Sequence, residues 1–199
     1  QRQMCIRDRL IVDLREFDCV TFLENTLALA FLERYDAAAV PLFLDNLKKI
    51  RYRNGKIEGY TSRLHYSSDW LYEMQRQGFL EDVTRECGGI HFPIDVFFMT
   101  KNACRYPAFE KDSLLIFQME QIETAIGKRK YFYIPKKDIG KIQEKIQEGD
   151  IVLLTTGIKG LDTSHVGIAV KKGEKTYLLH ASSTVSYTHL RAHETSQDL

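Results

Sequence analysis

The residue most suited to chemistry is Cys19, which follows an acidic residue and precedes an apolar pattern of helical period. Asp18 stands where a helix N-cap is expected, and its carboxylate could accept the backbone N–H of Val20 or Thr21. A thiolate in the first turn of that helix would lie at the positive end of the helix dipole, which predicts a pKa below the usual value of about 8.5. The N–H groups of the same turn could also stabilise an oxyanion. A buried core thiol is the commoner role of a cysteine, but the acidic cap and the apolar helix favour a nucleophile here.

A cysteine nucleophile needs a base, and that base needs a group that orients it. His165 begins one predicted strand and His180 ends the next. Because antiparallel neighbours run in opposite directions, the two rings are expected at the same edge of the sheet. An isolated histidine is more often solvated or satisfied in a core. Two at one edge, in a chain with Cys19, predict a catalytic set.

The elements that must position these residues are helices first and strands afterwards. Apolar residues at 20, 23, 27 and 31, and again at 22, 29 and 30, predict a helix of three to four turns, mostly buried on more than one face. Four more helices are predicted: from Pro41, from Trp70 to Gln77 with Asp69 as cap, around 115–126 and around 139–146. The predicted strands are 131–134, 150–155, 165–170 and 176–180. Helices followed by an antiparallel meander predict an α+β fold.

The composition is that of a globular chain without extreme charge. Of 199 residues, 44% are hydrophobic, and 28 Lys and Arg against 27 Asp and Glu leave a net charge of +1, so nucleic-acid binding is not indicated. The apolar runs are too short for a membrane span. The four cysteines lack zinc-site spacing, so no metal or cofactor is expected. Cys87 and Cys104 could pair in an oxidising compartment, although buried free thiols are favoured, and we expect a monomer.

Both ends of the chain differ from this pattern. Residues 1–9 have no period and no helix cap, and residues 185–199 form a polar stretch after an interrupted strand pattern. Both strings resemble translated sequencing-adaptor read-through and are set aside, together with Cys5, His189 and His193. We therefore expect a single domain over residues 10–184, truncated at its C-terminus, between tails that are not native and without its own signal peptide.

Four short motifs occur in a specific order along the chain. They are Phe-Asp-Cys-Val-Thr-Phe at 17–22, Gly-Asp-Ile-Val at 149–152, Ser-His-Val-Gly-Ile at 164–168 and Leu-His-Ala-Ser at 179–182. In this the sequence resembles the NlpC-type, papain-like family of bacterial cell-wall cysteine peptidases and amidases. The family's cysteine, base histidine and third polar residue fall on Cys19, His165 and His180. The resemblance implies a papain-like core, with the N-terminal cysteine helix packed on a C-terminal antiparallel sheet.

One branch of that family is more similar than the others. Val20-Thr21 stands where the commoner family members carry a Ser-Gly pair. Together with residues 62–66, 69–70 and 133–136, this pair is similar to the sequence of the N-acetylmuramoyl-L-alanine amidase-like branch. That branch carries a large helical insertion between the cysteine helix and the sheet. The resemblance implies a periplasmic or otherwise extracytoplasmic enzyme that acts on peptidoglycan or its fragments through a thioester and needs no metal.

The insertion also holds candidate substrate-binding residues. They are Arg63, His65, Tyr66 and Trp70, expected to form one wall of a deep pocket close to the sulfur. Arg63 could hold a carboxylate or lactyl oxygen as a bidentate donor, and Tyr66 or Trp70 could stack on a sugar face. The ordinary alternatives, a solvated arginine and a core tryptophan, stay open.

The function predicted is therefore hydrolysis of the amide bond between N-acetylmuramic acid and L-alanine by a Cys-His-His mechanism. The first alternative is an endopeptidase of the same family that cuts between D-glutamate and the diamino acid. A second is a papain-like acyltransferase, a class that usually adds a hydrophobic segment. A third is an inactive wall-binding module, which is disfavoured because all three catalytic positions are filled.

Overall fold

A computed structural model of the chain describes residues 10–173 and 175–181 and the backbone of 187–189. The helices are α1 Cys19–Ala30, α2 Val40–Arg51, α3 Ser67–Arg76, α4 Phe98–Lys101, α5 Pro107–Lys111, α6 Leu114–Gly127 and α7 Ile139–Ile142. The strands are β1 Ile90–Phe92, β2 Tyr131–Tyr133, β3 Ile151–Thr155, β4 Thr163–Lys172, β5 Lys175–Leu179 and β6 Tyr187–His189. The predicted tails, 1–9 and 185–199, lie outside the described residues except where β6 pairs with β5.

The strands form two antiparallel sheets, one of β1 and β2 and one in the order β3-β4-β5-β6. The α+β prediction is confirmed, since the helices precede a meander. Strand β4 is longer than predicted and runs from Thr163 to Lys172, which leaves a two-residue connection to β5. Gly173 in that connection has φ +62, a conformation that glycine adopts without strain.

Helix α1 begins where the sequence predicts. Asp18 Oδ1 accepts the N–H of Thr21 at 2.7 Å, and Thr21 Oγ1 accepts the N–H of Asp18 at 2.9 Å, which is a capping box with threonine in the third position. The prediction of burial on more than one face is wrong. Only the face that lies against α2 and β4 is buried, while Leu29 on another face is 41% exposed.

Two arginines and one carboxylate connect α1 to the chain around it. Glu24, 2% exposed, accepts Arg51 Nε at 2.5 Å and Arg63 Nη2 at 3.1 Å, and Arg51 Nη1 also donates to the carbonyl of Ile11 at 2.6 Å. Removing one partner of such a buried pair costs roughly 3–5 kcal/mol, because a charge is left without compensation. This cluster holds helix α1 in position relative to helix α2 and to the segments around Ile11 and Arg63.

The segment between α2 and β3 forms a second hydrophobic core. Its buried residues are Tyr66, Val96, Met99, Phe109, Met119, Ile126 and Tyr131. At its centre Glu123 accepts the hydroxyl of Tyr66 at 2.6 Å and the hydroxyl of Thr100 at 2.5 Å. The predicted helical insertion thus has a hydrophobic core of its own.

Two helix boundaries differ from the prediction. Helix α3 begins at Ser67, so Asp69 lies inside its first turn rather than at its cap. There Asp69 binds Arg53 Nη2 at 2.6 Å and Arg129 Nη1 at 2.7 Å. Helix α7 covers only Ile139–Ile142, shorter than the predicted helix around 139–146.

Candidate active site

A cleft of about 1430 Å³ contains both predicted reacting residues. Cys19 borders it from the first turn of α1, and His165 borders it from β4. Strand β3 contributes all of its residues to the lining, and Tyr131–Tyr133 of β2 and Ile139 of α7 also border the cleft. The fold therefore brings the N-terminal helix and the C-terminal sheet to one cavity.

Cys19 is partly buried, and this decides its chemistry. Burial raises the pKa of the Cys19 thiol, and the charge of Asp18 raises it further. The backbone N–H groups of Val166, Val20 and Cys19 itself lower this pKa without reversing the rise. The prediction of a lowered pKa is thus wrong, because desolvation outweighs the helix N-terminus and the acidic cap acts against a thiolate. If this sulfur acts as a nucleophile, it therefore needs a base that takes the thiol proton during the attack.

His165 lines the same cleft as Cys19. It is 9% exposed, and the next residue, Val166, directs its backbone N–H at the Cys19 sulfur. Burial lowers the pKa of His165, and the neighbouring His180 lowers it further. A neutral imidazole can act as a general base, which is the chemistry that His165 could perform in this cleft.

His180 lies against His165 as the strand argument predicts. It follows β5 directly, and its Nδ1 lies 2.8 Å from His165 Nε2, with the two rings at 88°. His180 is 3% exposed, and burial lowers its pKa. Because Nε2 of His165 is used in this bond, Nδ1 is the ring nitrogen left for the proton of a nucleophile.

Arg63 and His65 lie away from the cleft. The Arg63 side chain is 16% exposed and is held by Glu24. His65 Nε2 lies 3.1 Å from the carbonyl of Tyr60, and burial lowers its pKa to about 4. His65 borders a separate small cavity of about 30 Å³ between α1 and α3. The prediction that these two residues form the pocket wall is corrected, because internal partners engage both.

Tyr66 and Trp70 are both core residues, 2% and 6% exposed. The Tyr66 hydroxyl binds Glu123, and burial raises the pKa of Tyr66. Its ring cannot stack on a sugar, so that prediction is wrong. Trp70 borders the cleft, but its ring packs in the core formed by α1, α2 and α3. Of the four predicted substrate residues, only Trp70 reaches the cleft.

Sequence reasoning missed two residues of the cleft. Phe17, two positions before Cys19, is 40% exposed and meets Phe22 edge-on at 6.3 Å, so its ring is available to a ligand. Asp162, three positions before His165, lines the cleft with a side chain that is 1% exposed. Phe17 begins the first motif and Asp162 lies two residues before the motif at 164–168, and these positions are the only signal in the sequence, since exposure and burial depend on tertiary packing.

Three further observations concern the described residues. They contain no group of three or more His, Cys, Asp or Glu side chains that could hold a metal ion. No helix among them has the length and apolar character needed to cross a bilayer. Cys87 and Cys104 are free thiols; Cys87 is partly buried and borders the cleft, whereas Cys104 is exposed, so its predicted burial is wrong.

Comparisons with known proteins agree on a family and a fold. A family model described as AmiA-like, N-acetylmuramoyl-L-alanine amidase-like, matches residues 2–194. A solved N-acetylmuramoyl-L-alanine amidase from Bacteroides uniformis is 34% identical, with 96% of this chain and 82% of that chain covered and a TM-score of 0.86. A Bacteroides fragilis protein described as a candidate xylanase is 38% identical, with 92% and 80% covered and a TM-score of 0.82. Among curated proteins, no sequence matches this chain.

Proposed function

The chain belongs to the AmiA-like, N-acetylmuramoyl-L-alanine amidase-like family, and from that premise we propose that it is a cysteine amidase. Its substrate is the amide bond between N-acetylmuramic acid and L-alanine in peptidoglycan or its fragments. The observation that carries this proposal is the shared cleft, which is lined by Cys19 at the start of α1 and by His165, whose ring is in turn bonded to His180.

The first half of the reaction is acyl transfer to sulfur. The Cys19 sulfur attacks the carbonyl carbon of the lactyl group while His165 takes the thiol proton. The negative charge that develops on the carbonyl oxygen meets the backbone N–H of Cys19, which belongs to the first turn of α1. The C–N bond then breaks, His165 gives its proton to the leaving amine, and the lactyl group remains on Cys19 as a thioester.

The second half is hydrolysis of that thioester. Water gives a proton to His165 and attacks the thioester carbon, the C–S bond breaks, and the sulfur regains the proton. The products are N-acetylmuramic acid and a peptide that begins with L-alanine. His180 accepts the N–H of His165 Nε2 throughout, which keeps His165 Nδ1 directed at the reacting atoms.

The finer family assignment is part of this proposal. The order of a cysteine helix, a helical insertion and an antiparallel sheet with the histidine pair at one edge supports an NlpC-type, papain-like core. We place the enzyme outside the cytoplasm, where its cell-wall substrate lies.

A glycosidase is less well supported, although one relative is described as a candidate xylanase. Glycoside hydrolases of the usual kind hold two carboxyl groups across the scissile bond, one of them as a proton donor. Among the described residues, five carboxylates border this cleft, and four of them, including Asp82 and Asp150, accept backbone N–H groups. Asp18 caps α1, and Asp162 accepts two backbone N–H groups. The same cleft is lined by the Cys19 thiol and the His165 imidazole, a combination that favours acyl transfer.

The experiment compares two cysteines of the same cleft. Cys19→Ala is expected to abolish hydrolysis of an N-acetylmuramoyl tripeptide, whereas Cys87→Ala is expected to retain it, and both proteins should show parental circular dichroism. Parental turnover by a folded Cys19→Ala protein would contradict the proposal.

A further inference from the structure

An irregularity in β4 comes immediately before the proposed base. Leu154 of β3 pairs with His165, but the next residue, Thr155, pairs with Thr163, so Ser164 is an extra residue on β4. Such a bulge bends its strand and changes the direction of the side chain that follows. The direction of the His165 ring therefore depends on how the chain before Ser164 is held.

Asp162 holds this part of the chain from within the protein. Its carboxylate is 1% exposed and accepts the N–H of Ser68 at 2.7 Å and the N–H of Thr163 at 2.8 Å. Ser68 lies in the first turn of α3, whose N-cap residue, Tyr66, makes no capping bond with its own side chain. Asp162 thus caps α3 from a position 94 residues away in the sequence.

A second bond lies beside the first. Thr163 Oγ1 donates to Ser67 Oγ at 2.6 Å, so Asp162 and Thr163, at the start of β4, are bonded to two consecutive residues at the start of α3. Burial raises the pKa of Asp162, and the N–H groups of Ser68 and Thr163 act against that rise. A buried carboxyl group is tolerated only when such bonds are made. The start of β4 consequently follows the position of α3.

The loop between β3 and β4 has another attachment to the insertion. The carbonyl of Gly160 accepts the N–H groups of Phe97 and Phe98, each at 3.0 Å. Gly160 has φ +80, and a Cβ there would lie 2.6 Å from the Phe97 ring, so the loop needs glycine at this point. The loop that leads to His165 is fixed at Gly160 and again at Asp162.

We propose that Asp162 is a positioning residue for the reaction: by joining β4 to the N-terminus of α3 it fixes the Ser164 bulge and so aims His165 at Cys19. This inference rests on the function proposed above, because it takes His165 as the base. Asp162 acts through Thr163 and Ser164, to which it is connected along the chain. The helical insertion then has a role in catalysis as well as in shaping the cleft.

The test uses Asp162→Ala and Asp162→Asn, with Asp45→Asn as the control, since Asp45 is an exposed partner of Lys48 and Lys49 on α2. The first readout is the NMR titration of the His165 ring, assigned with His165→Ala, which needs no substrate. Burial and the neighbouring His180 lower the pKa of His165 in the parent. A misplaced, better hydrated ring would raise this pKa toward the usual value of about 6.5, and this rise is the expected result.

The second readout is turnover of an N-acetylmuramoyl tripeptide. Asp162→Ala is expected to lower kcat by about 10- to 100-fold with KM changed less than about twofold, since a displacement of about 1 Å can cost that much in rate. Asp162→Asn, which keeps one acceptor oxygen, should lie between Asp162→Ala and the parent. Ile126→Val, in the second core, controls for a general loss of stability.

Each outcome decides the inference. If Asp162→Ala keeps the parental His165 titration and the parental kcat, the inference is overturned. It is also overturned if Ile126→Val shows the rise in the His165 pKa and the fall in kcat that are expected of Asp162→Ala. If Asp162→Ala does not fold, Asp162→Asn and Thr163→Val, which removes the bond to Ser67, are measured in its place, and parental values in both would overturn it. If the parent protein cuts no muramoyl peptide but the His165 titration moves as expected, the proposed function fails and the positioning role stands.

Discussion

His165 Nε2 lies 2.8 Å from His180 Nδ1, and the two rings are nearly perpendicular. One proton can occupy this bond. If His165 Nδ1 is to accept a proton from Cys19, then Nε2 must carry the hydrogen and His180 Nδ1 must accept it. The contact therefore selects the tautomer of His165 that carries its proton on Nε2. It also selects the form of His180 that has no proton on Nδ1.

Replacing His180 tests this relationship. We expect His180→Asn or His180→Gln to keep measurable turnover, since an amide oxygen can still accept the His165 N–H. His165→Ala should lose on the order of 10²- to 10⁴-fold in kcat, the usual contribution of a general base. The measurement is steady-state hydrolysis of a muramoyl peptide. Equal loss in His180→Gln and His165→Ala would show that His180 does more than orient its neighbour.

The raised pKa of Cys19 gives a second prediction. At pH 7 iodoacetamide should label the exposed Cys104 faster than Cys19, and the rate at Cys19 should keep rising above pH 8.5. Peptide mapping by mass spectrometry gives both rates in one sample, and Cys19→Ala identifies the peptide. Faster labelling of Cys19 at pH 7 would mean that it forms a thiolate–imidazolium pair with His165.

The parts of this account that the sequence predicts are local or regular. The cap at Asp18 follows from an acidic residue that precedes an apolar pattern of helical period, and the meeting of His165 with His180 follows from antiparallel geometry. What the sequence does not predict depends on burial. Arg63 is held by Glu24, 39 positions away, and Tyr66 by Glu123, 57 positions away, so neither side chain is left for a substrate. Burial also explains why the pKa of Cys19 is raised rather than lowered.

Phe17 gives a third prediction. Its exposed ring borders the cleft beside the nucleophile and could pack on the sugar or lactyl part of the substrate. Phe17→Ala should raise KM by about 2- to 10-fold, corresponding to the roughly 0.5–1.5 kcal/mol of an aromatic contact, and change kcat little. Phe117→Ala is the matched control, because Phe117 on α6 is 62% exposed and does not border the cleft. Equal effects in the two variants would exclude this role.

His65 gives a prediction about stability and pH. Its pKa in the folded protein is about 4, below the usual value of about 6.5, so the unfolded chain binds the proton first as pH falls. The free energy of unfolding should therefore decrease between pH 6.5 and pH 4, and His165 and His180, with lowered pKa values, contribute with the same sign. Urea unfolding of His65→Gln should show a weaker dependence than the parent, with the exposed His91→Gln as control. An unchanged slope in His65→Gln would contradict this assignment.

The bond that is cut tests the central claim most directly. An N-acetylmuramoyl-L-alanyl-D-glutamyl-diamino acid substrate is digested, and the products are identified by mass spectrometry, with Cys19→Ala as the blank. The account predicts free N-acetylmuramic acid and an intact tripeptide that begins with L-alanine. Release of N-acetylmuramoyl-L-alanyl-D-glutamate with a free diamino acid would contradict it and identify an endopeptidase instead.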